Sequence, residues 1–547
     1  MALPYLMEYP HECAEQTFNR YYANALARHL AKSDPKLRQI FDLWKNTAAL
    51  DSPLAKNSEL KGITFDETPW LAEAADQAQA RRNLGRLFDD NQLDAELEKA
   101  LEKLTAMQRD DGLWSWFPGG KENYHISLCI TTGFARLRAV GVETDITPAL
   151  KSLPQLDADL TERLAAIKRA AEKNPEFLNT NHLDSGIAQH LYTRTLFLKD
   201  RKLSRDDRVA LDFFVAQAKR YWAKLDSRLS RAHVALALNR LGDQTTAKLI
   251  TRSLREHAIR TPENGMLWRD DASGWYWWQA PIETQAMMIE AFREIDHDDR
   301  AVEDCQVWLI QQKQVRDWRS TKATADAIHA LLLGGKDLLG GGEPLQVALG
   351  GVAIKPENVE PGTGFYEARF NGPVVKPDLG RIQLTQTAPG VAWASIHWQY
   401  LEDLAKVTAH DTAGLKLEKA LFVRESGRLE PVAGPVKVGD ELVTRLILRN
   451  DRAMEFVHLK DSRGRGTEPM NVLSGYRWQD GFGYYEVTRD TASHFFIDTL
   501  PAGTHVFETS VRVQHAGTYQ SGMAEIRCLY APEFSAHSAS LPLEVGR

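Results

Sequence analysis

Cys13-Ala14-Glu15-Gln16 places a thiol three residues from a carboxamide. On a helical turn, residues i and i+3 share a face. The Cys13 sulfur could there attack the Gln16 side-chain carbon, expel ammonia and leave a thioester. Such a bond stores an acyl group that an amine or hydroxyl captures once the site opens. Pro10 and the apolar and aromatic residues after Gln16 predict a loop entering a helix, with the motif at the helix start. A helix N-terminus lowers a thiol's pKa and favours the thiolate. Glu12 works the other way, since a neighbouring carboxylate disfavours a second negative charge. Glu15 has two readings: a first-turn carboxylate favoured by the helix dipole, or a helper in the cyclisation. A bare Cys-x-x-Gln also arises by chance, and a free cysteine is commonly an inert core residue, so the wider pattern has to decide.

Other residue groups suggest other chemistry. Asp296-His297-Asp298-Asp299 matches the acid motif of terpene cyclases, and Gln108, Gly112 and Trp114 resemble their glutamine–tryptophan repeat. The plainer reading is a turn with helix caps. Trp275–Trp278 could hold a sugar ring, and Asp110-Asp111 with Asp270-Asp271 could form an acid–base pair. Arg463-Gly464-Arg465 is a small basic group that reads more simply as a solvated loop. The acid motif, the Trp-rich loop and the Asp pairs define a rival reading, an α/α-toroid carbohydrate- or terpene-processing enzyme.

The elements that must position these residues change character along the 547-residue chain. At ~150 residues per domain, that length implies about three or four domains. A composition of 43% hydrophobic and 26% charged residues is that of a globular chain. The net charge of −7 gives no electrostatic footprint for nucleic acid. Cys13, Cys129, Cys305 and Cys528 are too widely spaced for a zinc site or a disulfide framework, and no cofactor or metal is expected. The first ten residues lack the basic and apolar regions of a signal peptide, and a chain that opens directly on a reactive-site motif reads as part of something longer.

Residues 1–335 read as all-α, with apolar residues at helical spacing in Ala232–Leu241 and Pro281–Ile295. A degenerate repeat runs through them. Trp114, Trp268 and Trp318 each lie in a loop feeding a helix whose first turn is rich in Thr, Ser or Ala. Units of this kind bury their apolar faces only by stacking, and a stack closed into a ring is an α/α toroid. After Gly334, Gly and Pro punctuate short strand-like stretches such as Arg381–Thr385 and Val391–Trp398. From residue 412 strands follow one another: Leu417–Val423, Glu441–Leu448, His505–Val513 and Ala524–Tyr530. This pattern predicts all-β sandwich domains.

Cys-x-Glu-Gln, with Pro upstream and aromatics downstream, resembles the thioester motif of alpha-2-macroglobulins and complement components. Trp116-Phe117-Pro118-Gly119-Gly120, His494-Phe495-Phe496, Leu500-Pro501-Ala502-Gly503 and Tyr530-Ala531-Pro532-Glu533-Phe534 resemble segments of the bacterial members. The resemblance implies an α/α-toroid thioester domain at 1–335, the remainder of a CUB-like β domain at 336–411 and a macroglobulin-type β-sandwich at 412–547. It implies a single-turnover protease trap rather than an enzyme, with Cys13 and Gln16 joined and target proteases as partners. A periplasmic or membrane-anchored location, through an N-terminal region beyond this sequence, is part of the same implication. So is an acyl-relay histidine, for which His182 is the first candidate and His125 the second. The resemblance also implies that an aromatic from Trp478–Tyr485 shields the thioester. A member that has lost the thioester and binds non-covalently would keep the same fold.

Overall fold

The computed structural model describes residues 2–33, 35–44, 70, 90–261, 264–268, 280–313, 317–318, 320–333, 344–357, 359–361, 364–387, 394, 396, 398, 400–412, 414–531 and 534–547. The chain divides into two compact units. The first holds residues 1–47, 82–342 and 359–365; the second holds residues 48–81, 343–358 and 366–547. The described helices lie almost entirely in the first and the larger sheets in the second, the order expected from the periodicities.

The helices of the first unit are α1 (Ala2–Glu8), α2 (Ala14–Ser33), α3 (Pro35–Trp44), α4 (Asp90–Ala106), α5 (Tyr124–Ala139), α6 (Thr147–Ala171), α7 (Ser185–Thr195), α8 (Arg205–Tyr221), α9 (Arg228–Arg240), α10 (Gln244–Glu256), α11 (Pro281–Ala291), α12 (Asp299–Gln311) and α13 (Thr321–Leu332). Their burial separates two kinds. In α9 the run Ala232 to Leu238 is buried on every side, and in α11 the same holds from Ile282 to Ala291 except for half-buried Glu283. By contrast α10 buries only Ala247, Ile250, Thr251 and Leu254, a single stripe at helical spacing. A helix apolar all round must be interior, and a one-striped helix lies outside it.

The contacts follow that division. Helix α2 touches α5, α5 touches α7, α7 touches α9, α9 touches α11, α11 touches α13, and α13 returns to α2. Helices α4, α6, α10 and α12 lie against α2, α5, α9 and α11 respectively. Close approach of α2 and α5 is permitted by Gly133, where a Cβ would stand 2.1 Å from the Phe18 ring.

The Trp loops of the sequence repeat have a common physical role. The Trp114 indole donates to the Leu104 carbonyl at 3.0 Å, that of Trp268 to Leu254 at 2.8 Å and that of Trp318 to Leu309 at 2.7 Å. Each carbonyl lies in the last turn of an outer helix, where the helix leaves acceptors without partners. The backbone N–H groups of Trp114 and Trp318 then donate to Ser127 Oγ and Thr324 Oγ1, both 2.9 Å away in the next inner helix. That accounts for the hydroxyl-bearing first turns.

In the second unit, β4 (Leu415–Glu425), β5 (Arg428–Pro431), β6 (Glu441–Asn450), β8 (Thr467–Pro469) and β12 (Gly503–Val513) form one sheet in the order β8-β12-β6-β4-β5. The other is built from β9 (Gly475–Gln479), β10 (Phe482–Thr488), β11 (Ala492–Leu500), β7 (Met454–Ser462), β13 (Ala524–Cys528) and β14 (Ser535–His537), paired in that order. Leu417, Leu446, Leu448 and Phe507 of the first sheet share a core with Val457, Phe495, Ile497 and Ile526 of the second. This is a β-sandwich. Trp70, buried to 2%, packs on the two central strands of the second sheet, its ring edge-on to Phe456 and Phe496 and its indole donating to Asp498 at 2.5 Å. A small sheet of β1 (Gln346–Leu349), β2 (Val352–Ala353) and β3 (Ile382–Thr385) covers the expected Arg381–Thr385 strand. Most of Val391–Trp398 lies outside the described residues.

Candidate thioester site at the start of a helix

Cys13 occupies the N-cap of α2, and its carbonyl accepts the first helical hydrogen bond from the Thr17 N–H at 2.9 Å. Gln16 folds back toward it, so that Oε1 accepts from the Cys13 N–H at 3.1 Å. This is the reach a third-position glutamine makes in a capping box, and it holds the carboxamide over the cysteine. Cys13 is only 5% exposed. The Ala14 N–H donates to the Trp116 carbonyl at 3.0 Å, so the Trp116–Gly120 loop abuts the motif. Trp116 and Phe117 stack there, 44% and 63% exposed.

Burial pushes the Cys13 thiol up. Hydrogen bonds at the helix start pull it down, and the Glu15 charge adds to the rise. The lowering expected from the helix start is outweighed by desolvation. Glu12 is not what raises it. Lys103 at 2.6 Å and Arg20 at 3.1 Å pair with its carboxylate and hold it below the usual carboxylate range.

Glu15 points into the ring of inner helices. Its two oxygens accept from the Thr321 hydroxyl, each at 3.0 Å, and Oε1 also accepts from Asn19. Burial raises its pKa. It ties the first inner helix to the last.

The two histidine candidates lie apart from one another. His182 Nε2 meets the Phe177 carbonyl at 2.7 Å and Thr180 Oγ1 at 3.2 Å, within its own loop. Exposed His125 faces Cys129 and Gln189 on α5 and α7.

The residues of the enzyme reading serve local structure. Asp298 caps α12 through the Ala301 N–H at 3.0 Å, while Asp296 accepts from Thr251 at 2.9 Å and pairs with Arg255. Asp111 accepts from the Leu113 N–H at 2.9 Å, and Gln108 donates to the carbonyls of Gly112 and Pro148, both at 2.8 Å. Arg463 donates to the carbonyls of Arg489 and Asp490 at 2.7 and 2.9 Å. Asp270-Asp271 and Trp275–Trp278 lie outside the described residues. In the sandwich, Trp478 is 79% exposed on β9. Cys13, Cys129, Cys305 and Cys528 form no disulfide.

Residues 414–533, the greater part of the sandwich, match the family model for the bacterial alpha-2-macroglobulin MG10 domain. That segment is bacterial alpha-2-macroglobulin-like. Among solved structures it is similar to native Escherichia coli alpha-2-macroglobulin spanning domain MG7 to the C-terminus, at 14% identity and a TM-score of 0.37, over 100% of this chain and 75% of that one. A Salmonella alpha-2-macroglobulin mutant gives 15% and 0.36, over 100% of this chain and 31% of that one. Escherichia coli alpha-2-macroglobulin activated by porcine elastase gives 15% and 0.40, over 84% of this chain and 39% of that one. The chain thus spans less than a third of the Salmonella protein's length. No curated protein matches it. The alpha-2-macroglobulin likeness rests on the MG10 domain.

Proposed function

We propose that this chain carries an internal Cys13–Gln16 thioester and belongs to a protease-trapping inhibitor. The observation that carries the reading is the Gln16 carboxamide folded over a buried Cys13 at the first turn of α2, Oε1 lying 3.1 Å from the Cys13 N–H. In the forming step the Cys13 sulfur attacks the Gln16 side-chain carbon, the C–N bond breaks and ammonia leaves with the thiol proton. Burial of Cys13 keeps water from the acyl group until the site opens. An amine from an attacking protease then takes the acyl carbon, and Cys13 leaves as a thiol.

The closed contact circuit of α2, α5, α7, α9, α11 and α13 supports reading the helical unit as an α/α toroid. The likeness to alpha-2-macroglobulins, one of them solved after activation by porcine elastase, supports proteases as targets. A trap of this kind turns over once and is not an enzyme. It would act from the periplasm, free or tethered to a membrane.

Isotope-labelled methylamine tests the reading. It is expected to appear on Gln16 as the methylamide with release of one thiol at Cys13, and to be absent from a Cys13→Ala variant. Equal labelling of both proteins, or none of the wild type, would overturn the proposal.

A further inference from the structure

Cys129 lies in the second turn of α5. His125 Nε2 stands 3.6 Å from its sulfur, one helical turn away. Gln189 of α7 reaches both groups. Its Nε2 donates to the sulfur at 3.4 Å, and its Oε1 lies 3.1 Å from His125 Nδ1. An Nδ1–H donating to that oxygen leaves Nε2 free to take the thiol proton. Thiol, imidazole and an orienting amide are the parts of an activated sulfur nucleophile.

These groups line a cavity of about 80 Å³ with Tyr22, Lys322 and Asp326. That space holds a few waters, so it admits a small molecule and excludes a peptide. Tyr22 is 2% exposed, yet its hydroxyl has no hydrogen-bond partner among the described residues. A buried hydroxyl without a partner carries a cost that a bound hydrogen-bonding molecule removes. Burial raises the Cys129 thiol, but His125, Lys322 and Gln189 together bring it below the ordinary value. Other charged groups facing the cavity are Glu15 of α2, Arg136 of α5 and Asp326 of α13; Glu283 of α11 acts through Lys322.

We propose that this cavity is a second covalent site, in which Cys129 attacks a small peroxide with His125 as proton carrier and Gln189 as orienting group. The thiolate sulfur bonds to one peroxide oxygen and the O–O bond breaks. The departing hydroxide takes the His125 proton and leaves as water. Cys129 is oxidised by two electrons to the sulfenic acid, and the peroxide is reduced. Glu15 of the motif faces this cavity, but neither Cys13 nor Gln16 lines it, so either assignment can fail without the other.

The test treats the whole chain with hydrogen peroxide and a dimedone-type trap, then maps the label. Labelling is expected at Cys129, about a hundredfold slower in His125→Gln at unchanged melting temperature. Label spread equally over Cys305 and Cys528, or a wild-type rate in His125→Gln, overturns the proposal. Should that variant not fold, the wild-type pH profile decides. Iodoacetamide alkylation of Cys129 is expected to reach half its maximum below the ordinary thiol value of 9.0, and a midpoint at or above it overturns the proposal.

Discussion

The Thr321 hydroxyl lies 3.0 Å from each carboxylate oxygen of Glu15, joining the residue between Cys13 and Gln16 to the last inner helix. The motif and the closure of the helical circuit therefore share a hydrogen bond. Replacing Thr321 by Val keeps the shape and leaves a buried carboxylate short of a donor. The expected loss is about 1.5–3 kcal/mol, the range for hydrogen bonds to charged groups. Urea unfolding of the helical unit checks it, and a Thr321→Ser variant should recover most of the difference.

Acid sensitivity follows from histidines buried without charge. Burial pulls His458 and His233 to about 3 and His494 and His329 to about 4, from an ordinary 6.5. Below 6.5 the unfolded chain binds protons that the folded chain refuses. Stability is therefore full above 6.5 and falls as pH drops toward the folded values, by about 1.4 kcal/mol per pH unit for each group. Unfolding measured near neutrality and at about pH 5 should show this decline. In the sandwich the stacked His458–His494 pair carries it, and a His458→Gln, His494→Gln double variant should flatten that domain's profile.

The Trp loops make a separable prediction. Trp114→Phe and Trp318→Phe keep most of the ring but lose the donor to the Leu104 and Leu309 carbonyls. Each should cost about 1–3 kcal/mol, since a buried acceptor is left unsatisfied. Trp116→Phe, at an exposed position, should change stability by no more than about 0.5 kcal/mol. Thermal melts of the three variants suffice.

How much of this was legible in the sequence depends on whether the determining contact is local. The Trp–helix repeat was visible because its spacing is set by one outer helix, one loop and one inner helix. The strands at Glu441 and Ala524 were visible through apolar patterning and begin where expected. Gln16 reaching back to Cys13 is a contact within one turn, which the Cys-x-x-Gln spacing already encodes. The fate of Glu12 was not legible, because Lys103 lies 91 residues away. The Cys13 thiol moved opposite to its helix-start expectation because burial is a property of the assembled ring. The pairing of His125 with Cys129 is not part of the sequence reading, because Gln189, which completes their geometry, is 60 residues beyond Cys129.

In the sandwich, Lys419 is 1% and Asp461 7% exposed, paired at 2.7 Å, and Lys419 also meets the carbonyls of Ser462, Ser521 and Gly522. Lys419→Met should destabilise this domain by about 3–5 kcal/mol, since Asp461 is left buried without its cation. Adding Asp461→Leu should restore much of the loss. Additive losses in the double variant would show that the pair is not coupled.

The covalent account is tested most directly by the intact mass of the untreated chain. A closed Cys13–Gln16 bond makes the wild type lighter than its sequence by one ammonia, while Cys13→Ala has its full calculated mass. A wild type at full sequence mass, with a titratable thiol at Cys13, would contradict the account.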